Sequence, residues 1–191
     1  MTSKKRKLQI IGLYGAQGSG KTTLAEAVVN SPILSNDKKW RRRSLAQPIR
    51  DMLSVLVNPH HLTPTADKGA TPRELQGKTV RETMQLLGTE WGRHLIGKDI
   101  WLDALIRWAV ANNCKRIIID DLRMQNEFDF IKKAGGLIVK VIRGKTTSNT
   151  EDQHSSELDW KSWLPNLYVS NDTTPSECAE EIIEFAENFF I

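Results

Sequence analysis

Short apolar runs rich in β-branched residues alternate along this chain with longer stretches whose apolar positions recur at helical spacing. "KLQIIGLY" (7–14) predicts a buried strand, followed by a glycine-rich loop and a helix to about Asn30. "RRRSLA" reads as a weaker strand, and "QPIRDMLSVLV" as a helix with Pro48 in its first turn, where a missing N–H costs little. Residues 58–78 hold several prolines and no period, which predicts a long, mobile connection. Thr79 then opens a helix. Thr79 and Glu82 have capping-box spacing, and Val80, Met84, Leu87, Trp91 and Leu95 fall on one face. A further helix runs from about Asp99 to Asn112. Next come a strand "KRIIID" (115–120), a helix "QNEFDFIKKA" ended by Gly135 and Gly136, and a strand "LIVKVIR" (137–143). A polar stretch leads to a short strand "NLYVS" (166–170), and Thr174-Pro175-Ser176-Glu177 starts the last helix.

Strands separated by helices call for parallel pairing with right-handed crossovers. The predicted fold is therefore α/β, a doubly wound, mostly parallel sheet, as one domain over residues 8–191 behind a basic arm at 1–7. A chain of 191 residues suffices for one such core. The formal charge of +4 is matched by Lys4, Lys5, Arg6 and Lys7 alone, so the body is near neutral and no broad nucleic-acid face is expected. Cys114 and Cys178 fit no metal or disulfide framework and read as buried thiols of a reducing compartment. The basic start before "LQIIGLYGA" resembles a signal peptide, but its apolar run is short and leads straight into a Gly-Lys motif. No stretch approaches the ~20 apolar residues of a membrane span. The expectation is a cytoplasmic protein with no membrane contact.

Gly15, Gly20, Lys21 and Thr22 fit G-x-x-x-x-G-K-[ST] between a strand and a helix. In such a loop Gly15, Gly18 and Gly20 let the backbone curl so that successive N–H groups face phosphate oxygens. The helix behind it adds its positive N-terminal end. The expected ATP-binding stretch is Gly15, Ala16, Gln17, Gly18, Ser19, Gly20, Lys21, Thr22 and Thr23. Lys21 reaches the β- and γ-phosphates, and the Thr22 hydroxyl suits Mg²⁺. A second acid is needed near the metal. Asp120 and Asp121 end an apolar strand, where sites lie in open α/β sheets, and Asp120 is the first choice.

On the helix from Thr79, ideal α geometry sets Arg81 and Gln85 beside Gly88 and Gly92, with Thr89 and Arg93 just around the barrel. Each helical glycine costs about 1 kcal/mol relative to alanine, so something must pack closely there. Two arginines, a glutamine and a bare glycine surface suit a phosphorylated small molecule with a hydrogen-bonding ring. An ordinary polar helix border remains the alternative. Arg123, just beyond the strand-end acids, is placed by sequence to reach a transferring group. Arg143 and Lys145 enter a polar segment, 144–157, that could close as a lid. His154 reads as a turn residue, and Trp91, Trp101 and Trp108 as core.

"TVRETMQLLGTEWGRHLIGKDIWLDAL" (79–105), "IIIDDLRMQNE" (117–127) and "DQHSSE" (152–157) together resemble the deoxynucleoside monophosphate kinases of tailed phages. The resemblance implies a nucleoside-monophosphate-kinase-like core with a five-stranded parallel sheet, and transfer from ATP-Mg to a deoxynucleotide. It also implies that the helix from Thr79 faces the acceptor, and it allows a homodimer. The matching positions are Lys21 and Thr22, then Arg81, Gln85 and Arg93, then Asp120, Asp121, Arg123, Asn126 and Glu127, and finally His154 and Glu157. One departure stands out: where such kinases often read "FADPLK", this chain has "LAQPIR" (45–50), with Gln47 replacing the acid and Arg50 keeping the charge. The expected acceptor set is Arg50, Arg81, Gln85, Gly88, Thr89, Arg93, Asp121 and Asn126; Lys21, Arg123, Asp120 and Arg143 are expected to serve the transfer. Animal phosphomevalonate kinases look similar around the loop and strand-end motif, so another phosphorylated acceptor is the rival reading. A nucleic-acid-stimulated ATPase gripping through the basic arm is a more distant one.

Overall fold

The computed structural model describes residues 8–63, 66–144 and 162–191. The expectations for the basic arm, Lys145, His154, Glu157 and all but the first residue of the lid segment lie outside the described residues. The chain divides into two compact units, Met1–Ser44 with Trp108–Ile191, and Leu45–Arg107.

The first unit carries the sheet. Strands β1 (Gln9–Tyr14), β2 (Arg41–Arg42), β3 (Arg116–Ile119), β4 (Leu137–Ile142) and β5 (Leu167–Ser170) lie in the order β2-β3-β1-β4-β5. Every pairing is parallel, with Ile11 opposite Ile118 on one side and Leu137 on the other. β1 is central and nearly wholly buried, which is why it reads as a continuous apolar run rather than an alternating one. Its side chains still divide by period two. Ile11 and Leu13 join a core with Leu24 and Val28 of α1 (Lys21–Asn30) and Ile182 and Ile183 of α6 (Pro175–Phe189). On the other face Gly12 makes room for Leu122 and for Ile131 of α5 (Gln125–Lys133); a Cβ there would sit 2.4 Å from Leu122 Cδ1. Helices on both faces make the sheet doubly wound, as the sequence predicts. The capping box of Thr174 and Glu177 forms as its spacing requires.

The second unit is helical. α2 (Gln47–Leu53) is shorter than its apolar pattern suggests; Val55 and Leu56 beyond it are exposed. The connection after it has structure of its own in its described part. Turns of 3₁₀-helix form at Pro59–Leu62 and Arg73–Leu75, and Lys68 Nζ donates to Thr63 O (2.6 Å) and His61 O (3.0 Å). Thr79 caps α3 (Val80–Gln85), accepting from Glu82 N while Glu82 accepts from Thr79 N. From Leu86 to Ile96 the helix continues with the wider π winding. α4 (Ile100–Ala111) follows, its residues up to Arg107 falling in this unit.

The π winding corrects the expected apolar face. A stripe drawn at α spacing places Trp91 and Leu95 in the core, but Trp91 is 40% exposed and Leu95 76%. The positions that do face inward after Val80 include the two glycines, both buried. Gly92 lies against the indole of Trp101, where a Cβ would come within 2.4 Å of Cζ2, and Gly88 against Ile49. Trp101 Nε1 donates to Gly88 O (2.8 Å), which pins the ring in place. We expect Gly92→Ala to be destabilising. Helix propensity favours alanine by about 1 kcal/mol, but overpacking against a pinned ring and the Leu87 carbonyl costs about 1–3 kcal/mol. Gly88→Ala meets only the flexible end of Ile49 and should be nearly neutral. Equal urea midpoints for wild type and Gly92→Ala would refute this account.

Candidate active site

The glycine loop takes the conformation its sequence demands. Gly15, Gly18 and Gly20 have φ of 146°, 79° and 92°, values that side chains other than glycine rarely adopt. Gly15 has a second reason: a Cβ would lie 2.3 Å from Val141 O at the end of β4. Gln17 and Gly18 form the exposed tip, whereas Ser19 is buried. α1 begins at Lys21, and Leu24 N is the amide that bonds back to Gly20 O (2.9 Å). The first amides of α1 therefore have no partner one turn back within the helix and leave its N-terminal end positive. Lys21 Nζ folds over the loop, donating to Gly15 O and Ala16 O (both 2.8 Å).

At the carboxyl end of β3, Asp120 is almost wholly buried. Its Oδ2 accepts from the Thr22 hydroxyl (2.8 Å) and from Arg42 Nε (2.8 Å), so strand end and glycine loop are tied by one carboxylate oxygen. Oδ1 is buried and accepts no hydrogen bond from the described residues. Burying an ionised carboxylate requires a cation beside it, and Arg42 is that cation. Its Nη1 also reaches Glu26 Oε1 on α1 (2.9 Å). Sequence reasoning missed Arg42, since one arginine in a run of three on a weak strand carries no signal of its own. Asp121, the next residue, accepts from the Ser44 hydroxyl.

The other predicted residues lie on several elements of the two units. Arg123 is exposed, its backbone N–H donating to buried Glu127 Oε2 (2.8 Å), which also accepts from Met124 N (3.1 Å) at the start of α5. Asn126 is half-buried on that helix. Arg143 is exposed at the end of β4, beside Gly144, whose N–H donates to Asp172 (2.9 Å). In the second unit Arg50 helps to line a pocket of about 280 Å³ with Gln47, Asp51, Ser54, Pro59, Leu62 and Thr63. Gln47 donates to Asp51 (2.7 Å). Arg81 and Gln85 are exposed, and Thr89 and Arg93 are half-buried, with Arg93 Nη1 3.4 Å from Lys98 O. The bare glycine surface expected beside them is filled: Gly88 and Gly92 seat Ile49 and Trp101.

Trp163, unassigned by sequence, closes the first unit beside β1. It stacks on Phe128 (4.7 Å), meets Tyr14 edge-on (5.2 Å) and donates from Nε1 to Gln125 (2.6 Å). Tyr14 donates to the Trp163 carbonyl (3.0 Å), and burial pushes its phenol up to about 12. The ring therefore stays a neutral donor at physiological pH.

A positive-φ glycine loop between the central strand of a parallel sheet and the helix it opens, with an acid at the adjoining strand end, defines a P-loop nucleotide-binding protein. The model of one family, deoxynucleotide monophosphate kinase, matches residues 73–182. The chain belongs to that family, and its enzymes are phosphotransferases that use ATP. A protein of Acanthamoeba polyphaga mimivirus, provisionally named a deoxynucleotide monophosphate kinase, is 28% identical over 94% of this chain and 96% of its own. The deoxynucleoside-5'-monophosphate kinase of Escherichia phage T5 is 24% identical over 85% and 88%. An APS kinase structure from Mycobacterium tuberculosis aligns loosely, at 12% identity and a TM-score of 0.48, over 95% of this chain and 98% of that one.

No helix among the described residues is long and apolar enough to cross a membrane.

Proposed function

We propose that this kinase moves the γ-phosphoryl group of ATP to a deoxynucleoside 5'-monophosphate, giving ADP and a deoxynucleoside diphosphate. The observation that carries the reading is the family match over residues 73–182, which contains the Arg81–Arg93 helix and the Asp120 strand end. Lys21 is the donor-side cation. It rests on two neutral carbonyls and exchanges them for the β- and γ-phosphates, a stronger charge-assisted contact. The amides of residues 15–23 hold the donor while an acceptor phosphate oxygen attacks the γ-phosphorus and its bond to the β-bridging oxygen breaks. Little covalent chemistry falls to the protein; holding both partners in line and stabilising charge on the equatorial oxygens does the work. Arg123 and Arg143 are assigned to that charge, and Arg50, Arg81, Gln85, Thr89, Arg93, Asp121 and Asn126 to the acceptor.

Thr22 and Asp120 fit Mg²⁺. Their donors are hard oxygens, and Asp120 Oδ1 is buried with no hydrogen bond from the described residues to satisfy it. No group of three or more His, Cys, Asp or Glu among the described residues forms a cage, which suits an ion that keeps most of its waters. When bound, the ion would neutralise charge on the donor phosphates. Arg42 would then keep the carboxylate turned so that Oδ1 stays available. Asp120→Asn should raise the Mg²⁺ concentration needed for half-maximal activity and weaken Mn²⁺ binding read by electron spin resonance. Unchanged dependence in both would move the role elsewhere.

The enzyme is proposed to act on free nucleotides in the cytoplasm rather than on nucleic acid, and a homodimer is compatible with this. The decisive test is ADP release with every deoxy- and ribonucleoside monophosphate and with phosphomevalonate. Turnover confined to phosphomevalonate, or independent of any acceptor, would overturn the proposal.

A further inference from the structure

Resting on the reading of residues 15–23 as the phosphate loop, we propose that Asn171 is a positioning residue that aims the Gly20 amide at the nucleotide's phosphates. Asn171 follows β5, far from the loop in sequence. Its backbone N–H donates to Ile142 O (2.7 Å), which anchors it to the end of β4. Its side-chain Nδ2, buried, donates to Ser19 O (2.8 Å). The Ser19–Gly20 peptide is trans, so its C=O and N–H point in opposite directions. Holding the carbonyl on Asn171 points the Gly20 N–H the opposite way within the peptide plane, away from Asn171. The same contact explains why residue 20 is glycine beyond its φ of 92°: a Cβ there would lie 2.1 Å from Asn171 Nδ2. Ser19 N bonds within the loop, to Ala16 O (3.2 Å), so the segment before this peptide is held separately and the Asn171 contact sets the peptide itself.

Inorganic tripolyphosphate reports on the loop without base or sugar. Calorimetric titration of wild type, Asn171→Ala and Asn171→Asp should show about tenfold weaker binding of tripolyphosphate and of ATP by the alanine variant, the worth of one hydrogen bond to a charged group. The aspartate variant, nearly the same size but unable to donate when ionised, should lose more. Affinity for the acceptor deoxynucleotide should stay within about twofold, a split that general loosening of the fold would not produce. In wild type, the Gly20 amide proton should move strongly in NMR spectra when tripolyphosphate is added. Wild-type tripolyphosphate affinity in both variants, or an unmoved Gly20 amide, would overturn the proposal. If Lys21→Ala loses tripolyphosphate while both Asn171 variants keep it, the phosphate-loop reading stands and the proposal falls. A wild-type protein that takes up no tripolyphosphate would overturn both.

Discussion

Lys21→Ala is expected to fold normally and lose at least about 100-fold in turnover, the scale of removing a charge-stabilising donor from a transfer site. The fold draws little on the ammonium group: Lys21 Nζ donates to the Gly15 and Ala16 carbonyls within its own loop, and alanine is the better residue in a helix. The reaction does need it, because within the glycine loop itself the β- and γ-phosphates otherwise meet backbone N–H dipoles and no other side-chain cation. Melting temperature and steady-state ADP release, measured on the same preparation, separate the two roles. Near-normal turnover by the variant would remove Lys21 from the mechanism.

The second large effect is expected on the acceptor side. A phosphomonoester carries about −1.5 to −2 charges near neutrality and needs cationic donors other than Lys21. Arg81 is exposed and Arg93 half-buried, and an arginine fork can grip two phosphate oxygens where lysine offers a point charge. Arg81→Lys or Arg93→Lys should lower kcat/KM for the deoxynucleotide by roughly 10- to 150-fold, from about 1.5–3 kcal/mol per charged hydrogen bond. The KM for ATP should hardly change. Gln85→Ala should instead alter preference among bases, since a side-chain amide reads ring edges. If both arginine variants keep wild-type acceptor kinetics, this helix is a structural border, and the pocket lined by Gln47 and Arg50 becomes the place to look.

Local signals determined a good deal of this protein. The alternation of apolar runs with helical stretches was enough for a parallel, doubly wound sheet, and each of the five predicted strands is present. Strands, caps and a phosphate loop are written within a few consecutive residues: Thr79 with Glu82, Thr174 with Glu177, and Gly15 to Thr22 all adopt what their spacing requires. Asp120 was legible for the same reason, as an acid closing an apolar strand. Contacts across the chain were not legible. Arg42 meets Asp120 from 78 positions away, Asn171 meets Ser19 from 152, and Trp163 finds Tyr14 from 149. Each is an unremarkable residue until the sheet order places β2 beside β3 and β5 beside β4. The helix after Gln85 failed differently. A stripe computed at 3.6 residues per turn presumes α winding, and only the packing of Trp101 and Ile49 onto Gly92 and Gly88 shows which side of the wider π turn faces inward. Local sequence sets which elements form; tertiary packing sets which side chains meet, because those encounters depend on neighbours that local patterns do not contain.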